Sequence, residues 1–334
     1  MDILSALFLF VLLPVALFVA AGRATRKGSR RSAAALRRVA WLPLIVLTVH
    51  GLAFLLVHAV PGGPFDAERP LAPATRQALE ARFGLDQPLA RQWVAAVAGL
   101  ARCDFGPSLA HRDHSVADVI QEGLPASLLL GATAIFWMLL LGVPLGVLAA
   151  ARAGGCVDRG LGILIALIQA LPGFVLAALL LLPFVLWWKL LPAAGLETPA
   201  ALLLPSLALG LPFAAQVARL VRTAMLEALA SEWPRTLRAA GLPERLILRS
   251  ALRLALVPVV AFLGQAAAGV LTGSLVIEQM FAIPGLGAHF VESALNRDFT
   301  LALGLVTLYT AMAALCNWAA DLVLPLLDPR TEGT

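Results

Sequence analysis

The sequence predicts an all-α membrane protein with seven transmembrane helices, and three observations support this class. The 334 residues are 60% hydrophobic and only 13% charged, with a mean hydropathy of +0.88, whereas soluble domains carry roughly a quarter charged residues. Seven mostly apolar runs are long enough to cross a bilayer, which takes about 20 residues. The polar stretches at 73–83, 88–102 and 231–253 have the start signals, stop signals or apolar spacing of short helices.

The seven apolar runs cover residues 3–22, 39–60, 125–151, 161–188, 200–220, 254–277 and 301–327. Several contain or border a proline, which membrane helices tolerate where neighbouring groups or water satisfy the freed carbonyls. The first run could also be a signal peptide, which needs a basic segment before it and a small-residue cleavage site after it. Only Asp2 precedes this run and the basic cluster follows it, so a retained helix is the favoured interpretation.

Lys and Arg predict the orientation, because cytoplasmic flanks of membrane helices carry an excess of them. The regions 23–38, 151–160 and 219–253 hold seven, two and seven of the chain's 25 Lys and Arg residues. Seven alternating spans place all three regions on one side, which we assign to the cytoplasm. We therefore expect the N-terminus outside and the C-terminal tail inside.

The polar loop 61–124 then lies outside and is expected to form a small helical domain. Pro73 and Thr75 are start signals for a helix over about 73–83, and 88–102 has an apolar stripe at Leu89, Trp93 and Val97. An amphipathic cap on the outer membrane surface and a docking surface for an external partner are both compatible with this pattern.

Motifs for several kinds of chemistry are absent from the sequence. Neither Lys27 nor Lys189 belongs to a phosphate-binding G-x-x-x-x-G-K-[ST] loop, so the chain is not an ATPase by itself. The cysteines at 103, 156 and 316 form no C-x-x-C pair and are expected to be unpaired thiols. His111 and His114, three apart in the polar loop, have the only metal-like histidine spacing, and we expect no metal site.

The polar segment 231–253, SEWPRTLRAAGLPERLILRSALR, predicts a helix, a tight turn and a second helix at the cytoplasmic surface. Pro234 suits the first turn of a helix, Gly241 suits a left-handed stop, and Pro243 suits the start of the next helix. An apolar stripe follows and consists of Ile247, Leu248, Ala251, Leu252 and Ala255, while Arg245, Arg249 and Arg253 recur on another face. These physical features alone are compatible both with an interfacial amphipathic helix that binds anionic lipid and with a solvated basic loop.

This segment resembles the cytoplasmic signature of permease subunits of binding-protein-dependent ABC importers, and RTLRAAGL at 235–242 is close to the form in their peptide-transporter branch. The Glu-Ala-Ala of the general signature is absent, with Arg-Thr-Leu at 235–237 in its place. Trp-Pro at 233–234 also departs from that branch. Further matching pieces are VPGGPFD at 60–66, FGLDQPL at 83–89, DFGPSL at 104–109, LPASLLLG at 124–131, GVPLGVLAA at 142–150, GSLVIEQMFAIPGLGAHFV at 273–291, LNRDF at 295–299 and LLDPR at 326–330.

The resemblance covers about residues 39–330 and implies a six-span importer permease bundle, here with one extra N-terminal helix. The implied organisation is 1–38 for the extra helix and basic linker, 39–115 for the first core span and periplasmic loop, 116–328 for the importer transmembrane domain, and 329–334 for the cytoplasmic tail. The resemblance further implies a multi-pass protein of the bacterial inner membrane. Its partners would be a second permease, two ATPase subunits and a periplasmic or lipoprotein substrate-binding protein, within membrane lipid and without nucleic acid.

The helix pair at 232–253 would be the coupling helix that docks on an ATPase subunit. The docking residues are expected to be Arg235, Thr236, Arg238, Ala239, Ala240, Gly241, Leu242 and Pro243. The residues expected on the periplasmic, binding-protein side are Glu278, Phe281, Pro284, Gly285, Gly287, Asp104 and Gly106. This chain would bind no cofactor, since ATP and Mg²⁺ belong to the ATPase subunits.

The translocation path is expected between two permeases and lined by the spans at 161–188, 200–220 and 254–277. Ionisable residues within or beside spans are few, namely His58, Glu278 and Asp321, and structural roles are favoured for them. Oligopeptides are the expected substrate, with dipeptides, nickel or peptide-like compounds as alternatives. A secondary transporter would show coupling carboxylates deep in its spans and inverted repeats, and a membrane enzyme would show a clustered catalytic set. The sequence shows none of these features.

Overall fold

The computed structural model describes residues 30–59, 63, 65, 73–102, 104–110 and 114–327, with side chains from residue 41 onward except at 273 and 325–327. The predicted first span, 3–22, and the tail after 327 lie outside these residues. The helices described are α1 (Arg30–Ala59), α2 (Pro73–Arg82), α3 (Leu89–Leu100), α4 (Val116–Ala151), α5 (Cys156–Ala170), α6 (Gly173–Leu181), α7 (Leu203–Ala230), α8 (Glu232–Ala239), α9 (Glu244–Met280), α10 (Leu286–Leu295) and α11 (Phe299–Leu327). A π-helical segment, Leu182–Trp187, continues α6.

Five of these helices are long and apolar enough to cross a membrane, and they correspond to predicted spans. The candidate spans are Trp41–Ala59, Val116–Ala151, Leu203–Ala230, Glu244–Met280 and Phe299–Leu324. The bent pair Cys156–Ala170 and Gly173–Trp187 gives a sixth if it is counted as one span. The all-α membrane class is therefore confirmed for the described part of the chain.

The prediction of one continuous helix over 161–188 is wrong. The chain bends by 108° between α5 and α6, and Leu171, the residue before Pro172, has an extended ψ of 132°. A proline ring clashes with a helical conformation of the preceding residue, which explains the break. The hydropathy pattern did not reveal it because both halves are apolar.

The described residues form two compact units. The first comprises the residues up to Pro125 together with Gly285–Leu315, and the second comprises Ala126–Pro284 and the residues from Cys316 onward. In the first unit the buried His50 of α1 lies with Nδ1 2.9 Å from the Thr307 hydroxyl of α11. That hydroxyl donates to the Leu303 carbonyl at 2.6 Å, so the imidazole Nδ1–H donates to Thr307.

Helix α7 is the centre of the second unit, and glycines let α4 approach it closely. A Cβ on Gly142 would lie 2.7 Å from the Ala214 carbonyl oxygen, and one on Gly146 would lie 2.6 Å from that of Ala218. This spacing of small residues is the one that brings membrane helices into backbone contact. The core around this contact packs together Met138, Val217, Val221, Met225, Ala251, Ala255 and Val259.

Candidate functional site

The predicted helix, turn and helix at 232–253 are present, and the turn has a fixed hydrogen-bonding pattern. Helix α8 ends at Ala239, and Gly241 has a left-handed φ of +77°. The Gly241 amide donates to the Arg238 carbonyl at 3.0 Å, and the Leu242 amide donates to the Leu237 carbonyl at 3.1 Å. These two bonds define a Schellman motif, which satisfies carbonyls at the helix end and favours glycine at this position.

One side of this element packs inward and the other is exposed. Pro234 is buried, and Trp233 packs against the core that contains Met225 and Ala251. All eight residues predicted to dock are exposed, namely Arg235, Thr236, Arg238, Ala239, Ala240, Gly241, Leu242 and Pro243. We refer to these eight residues as the docking turn. The structure therefore brings them together on one accessible surface.

An ion pair closes the docking turn. The Arg238 guanidinium donates two hydrogen bonds to the Glu244 carboxylate, from Nη2 at 2.7 Å and from Nε at 3.1 Å. These hydrogen bonds raise the pKa of Arg238 above its ordinary value. The sequence pattern did not predict this bridge. It constrains the end of α8 relative to the first turn of α9.

The second helix is longer than predicted, because α9 runs without a break from Glu244 to Met280. The apolar stripe is confirmed, with Ile247, Ala251 and Ala255 fully buried. The arginines on the other face are exposed, namely Arg245, Arg249 and Arg253. The second helix of segment 231–253 and the predicted span 254–277 are therefore one continuous helix.

A second ion pair fastens the start of α5 to α7. Asp158, of which only 6% of the side chain is exposed, accepts hydrogen bonds from Arg222 Nε at 2.6 Å and from Arg222 Nη2 at 2.8 Å. The Gly154 amide donates to the same carboxylate at 2.9 Å. The pairing was missed because Asp158 and Arg222 are 64 residues apart and no local pattern connects them.

The residues predicted for the periplasmic side lie in both units. In the second unit Glu278 and Phe281 are fully buried, and the Ser127 hydroxyl donates to Glu278 at 2.8 Å. Pro284 is exposed. The buried pair packs inside the protein at the C-terminal end of α9, so any contact with a partner there is left to exposed neighbours such as Pro284.

In the first unit Gly285 and Gly287 are buried, whereas Asp104 is exposed. Asp104 Oδ1 accepts a hydrogen bond from the Gly106 amide at 3.0 Å. Asp104 and Gly106 line a cavity of about 460 Å³ whose other walls come from α1, α3 and α11. The predicted glycines are therefore packing positions, while Asp104 and Gly106 lie at an accessible recess.

The structure also shows a buried carboxylate that the sequence analysis overlooked. Asp298 Oδ2 accepts hydrogen bonds from the Ser108 hydroxyl and from the Leu109 and Ala110 amides at 2.5, 3.0 and 3.0 Å. Its Oδ1 accepts from the Leu301 amide at 3.0 Å, which caps the start of α11. The local signal was an acid directly before an apolar helix, but its three other partners are far away in sequence.

The remaining ionisable candidates have structural contacts or lie at an exposed position. His58 is half-buried, with Nδ1 2.8 Å from the Phe54 carbonyl and Nε2 3.3 Å from Gln92 Oε1. Asp321 is exposed. Within the described ranges no three His, Cys, Asp or Glu side chains form a group that could hold a metal ion, and His111 lies outside those ranges.

Comparisons with known proteins agree with this architecture. The family model described as "Binding-protein-dependent transport system inner membrane component" matches residues 142–333. The dipeptide transport system permease protein DppB of Bacillus subtilis is 40% identical over 288 residues, covering 86% of this chain and 94% of that protein. The oligopeptide transport system permease protein OppB of Escherichia coli K12 is 39% identical over 282 residues, covering 84% and 92%.

A solved structure, an inward-facing conformation of the MetNI methionine ABC transporter, is similar in fold. Its TM-score is 0.54 at 20% identity, and the match covers 63% of this chain and 96% of that one. The similarity supports the permease fold and no more. On the family match and the extent of the relatives, this chain belongs to the inner-membrane components of binding-protein-dependent transport systems, as a multi-pass transmembrane subunit of an ABC transporter.

Proposed function

We propose that this chain forms, with a second homologous permease, the membrane path through which a peptide importer passes its substrate. The relatives that cover most of the chain are permeases of dipeptide and oligopeptide systems. Two separate ATPase subunits, which hold ATP and Mg²⁺, would drive transport. A substrate-binding protein would deliver the peptide on the side opposite the docking turn.

The docking turn would be the surface that an ATPase subunit contacts. The observation that carries this role is the continuity of α9, whose 37 residues begin beside the turn and end at Met280. A helix of that length spans about 55 Å, so a displacement of the turn moves the whole span. The Schellman bonds and the Arg238–Glu244 pair make the turn a rigid contact rather than a loose loop.

The docking turn would face the cytoplasm, with the N-terminus outside and the C-terminus inside. The support is the concentration of Lys and Arg in 23–38, 151–160 and 219–253. Cys156, an exposed free thiol at the start of α5, provides a test. With the cysteines at 103 and 316 replaced by Ser, a membrane-impermeant maleimide should label Cys156 only after the cells are permeabilised. Labelling of intact cells would contradict this orientation.

The function is tested by reconstituting the complete importer in proteoliposomes and measuring uptake of labelled peptides. We expect uptake that requires ATP, the binding protein and this chain. Dipeptides and pentapeptides assayed in parallel distinguish the two classes named in the relatives. ATP-dependent uptake of Ni²⁺ or a sugar with no peptide uptake would contradict the proposal, and uptake that persists without the ATPases would indicate a secondary transporter.

A further inference from the structure

A polar cluster in the second unit links α5 and α7 beside the bend. The Gln169 side-chain amide nitrogen donates to Gln216 Oε1 at 2.9 Å. Arg219 Nη2 donates to the same oxygen at 2.6 Å. Because a guanidinium only donates, the Gln216 atom that faces it is the oxygen, and its two lone pairs are both used. The cluster therefore still offers the amide N–H groups of Gln216 and most N–H groups of Arg219.

Arg219 differs from the other charged groups of α7. Every side chain from residue 203 to residue 218 is buried or half-buried, and Arg219 is the first exposed one. One turn further along the helix, Arg222 is ion-paired with Asp158. In the described part of the chain no carboxylate lies within 4.0 Å of Arg219, whose side chain hydrogen-bonds to the neutral Gln216. Arg219 is thus a cation available to an external anion.

The bend next to this cluster shows which kind of surface it belongs to. Gln169 is in the last turn of α5, and Ala170, Pro172 and Phe174 around the bend are exposed. Broken helices leave backbone carbonyls without partners, and such backbone is tolerated at membrane depth only where it is buried in protein or lines a water-filled cavity. The face that carries the bend is therefore not a lipid-facing surface, and Arg219, the first residue of the basic flank 219–253, lies at the proposed cytoplasmic end of that face.

We propose that Arg219, held by Gln216 and Gln169, binds the C-terminal carboxylate of the peptide at the cytoplasmic end of the membrane path. This inference rests on the proposed function, because it assigns the substrate's anionic group to that same path. A guanidinium fits a carboxylate with two parallel hydrogen bonds. The amide nitrogen of Gln216 supplies a further donor, and the carbonyls at the end of α5 can accept from peptide N–H groups.

The test compares uptake of one labelled peptide as the free acid and as its C-terminal amide, with the complete importer in proteoliposomes. The binding protein also discriminates between the two forms, so the quantity measured is the acid-to-amide ratio of uptake rates in a variant, divided by that ratio in the wild type. This division cancels the binding protein's preference. Arg219→Gln should lower the ratio about tenfold, as expected for loss of one charge-assisted hydrogen bond.

Matched variants separate recognition from structure. Arg219→Lys should restore much of the ratio, and Arg152→Gln, which removes an exposed arginine from the loop after α4, should leave it unchanged. Gln216→Met, which removes the oxygen that holds Arg219, should lower the ratio as well. A ratio that does not change, whether both uptake rates are retained or both fall equally, would overturn the inference. A wild-type importer that moves no peptide would instead overturn the proposed function on which the inference rests.

Discussion

Gly241→Val is the most informative single change at the docking turn. Gly241 has φ +77°, and a Cβ built at this position meets no heavy atom within 4 Å. The cost of the substitution is therefore conformational and not steric. A residue with a side chain pays roughly 1–2 kcal/mol in the left-handed region, so the ordered turn should lose about 5- to 30-fold in population relative to open forms.

This loss should uncouple transport from ATP hydrolysis while the chain stays in the membrane. The assay is the number of ATP molecules hydrolysed per peptide imported by the reconstituted system, with detergent-solubilised size-exclusion chromatography as the folding check. Gly241→Asn should change little, because Asn tolerates this region. Gly84→Val is the matched control, since Gly84 also has a positive φ, +68°, and open space around it, but lies outside the turn.

A Gly241→Val importer with wild-type uptake and a wild-type ATP-to-peptide ratio would refute this reasoning. So would an equal loss in the Gly84→Val control, because the effect would then not depend on the docking turn.

The remaining predictions concern the turn's ion pair, the helix contact and the buried cap. Single charge reversals Arg238→Glu and Glu244→Arg should each reduce coupled uptake, and the double reversal should recover most of it; additive losses would argue against the ion pair. Gly146→Val should destabilise the chain by about 1–3 kcal/mol through overpacking, seen as a lower melting temperature in detergent, whereas Gly162→Val, with nothing within 4 Å of its Cβ, should not. Asp298→Ala should cost about 1–2 kcal/mol from the lost helix cap alone, with faster amide hydrogen exchange at 108–110; unchanged exchange there would contradict its role as an anchor.

Local sequence signals predicted the elements that depend on local physics. Hydropathy located the described spans, because about 20 apolar residues are needed to cross a bilayer. Gly241 and the prolines around it located the docking turn, since their allowed backbone conformations suit few other places. The buried stripe of α9 followed from a four-residue spacing that one helix face requires.

Features that depend on long-range geometry were not predictable in this way. The Asp158–Arg222 pair and the loop contacts of Asp298 join residues 64 and about 190 apart. The 108° bend at Pro172 was hidden because proline is tolerated in many membrane helices, and the sequence does not show which proline breaks one. Arg238 and Glu244 are close in sequence, but their pairing depends on the turn that Gly241 makes possible.

Contact between the docking turn and an ATPase subunit can be tested by site-specific photo-crosslinking. A photoreactive amino acid replaces Ala240, which is exposed in the turn, and in a control variant replaces Trp188, which is 60% exposed at the end of the π-helical segment. We expect a crosslink from position 240 to the ATPase subunit and none from position 188. A crosslink from position 240 to the substrate-binding protein, or to no ATPase in an assembly that transports peptides, would contradict it.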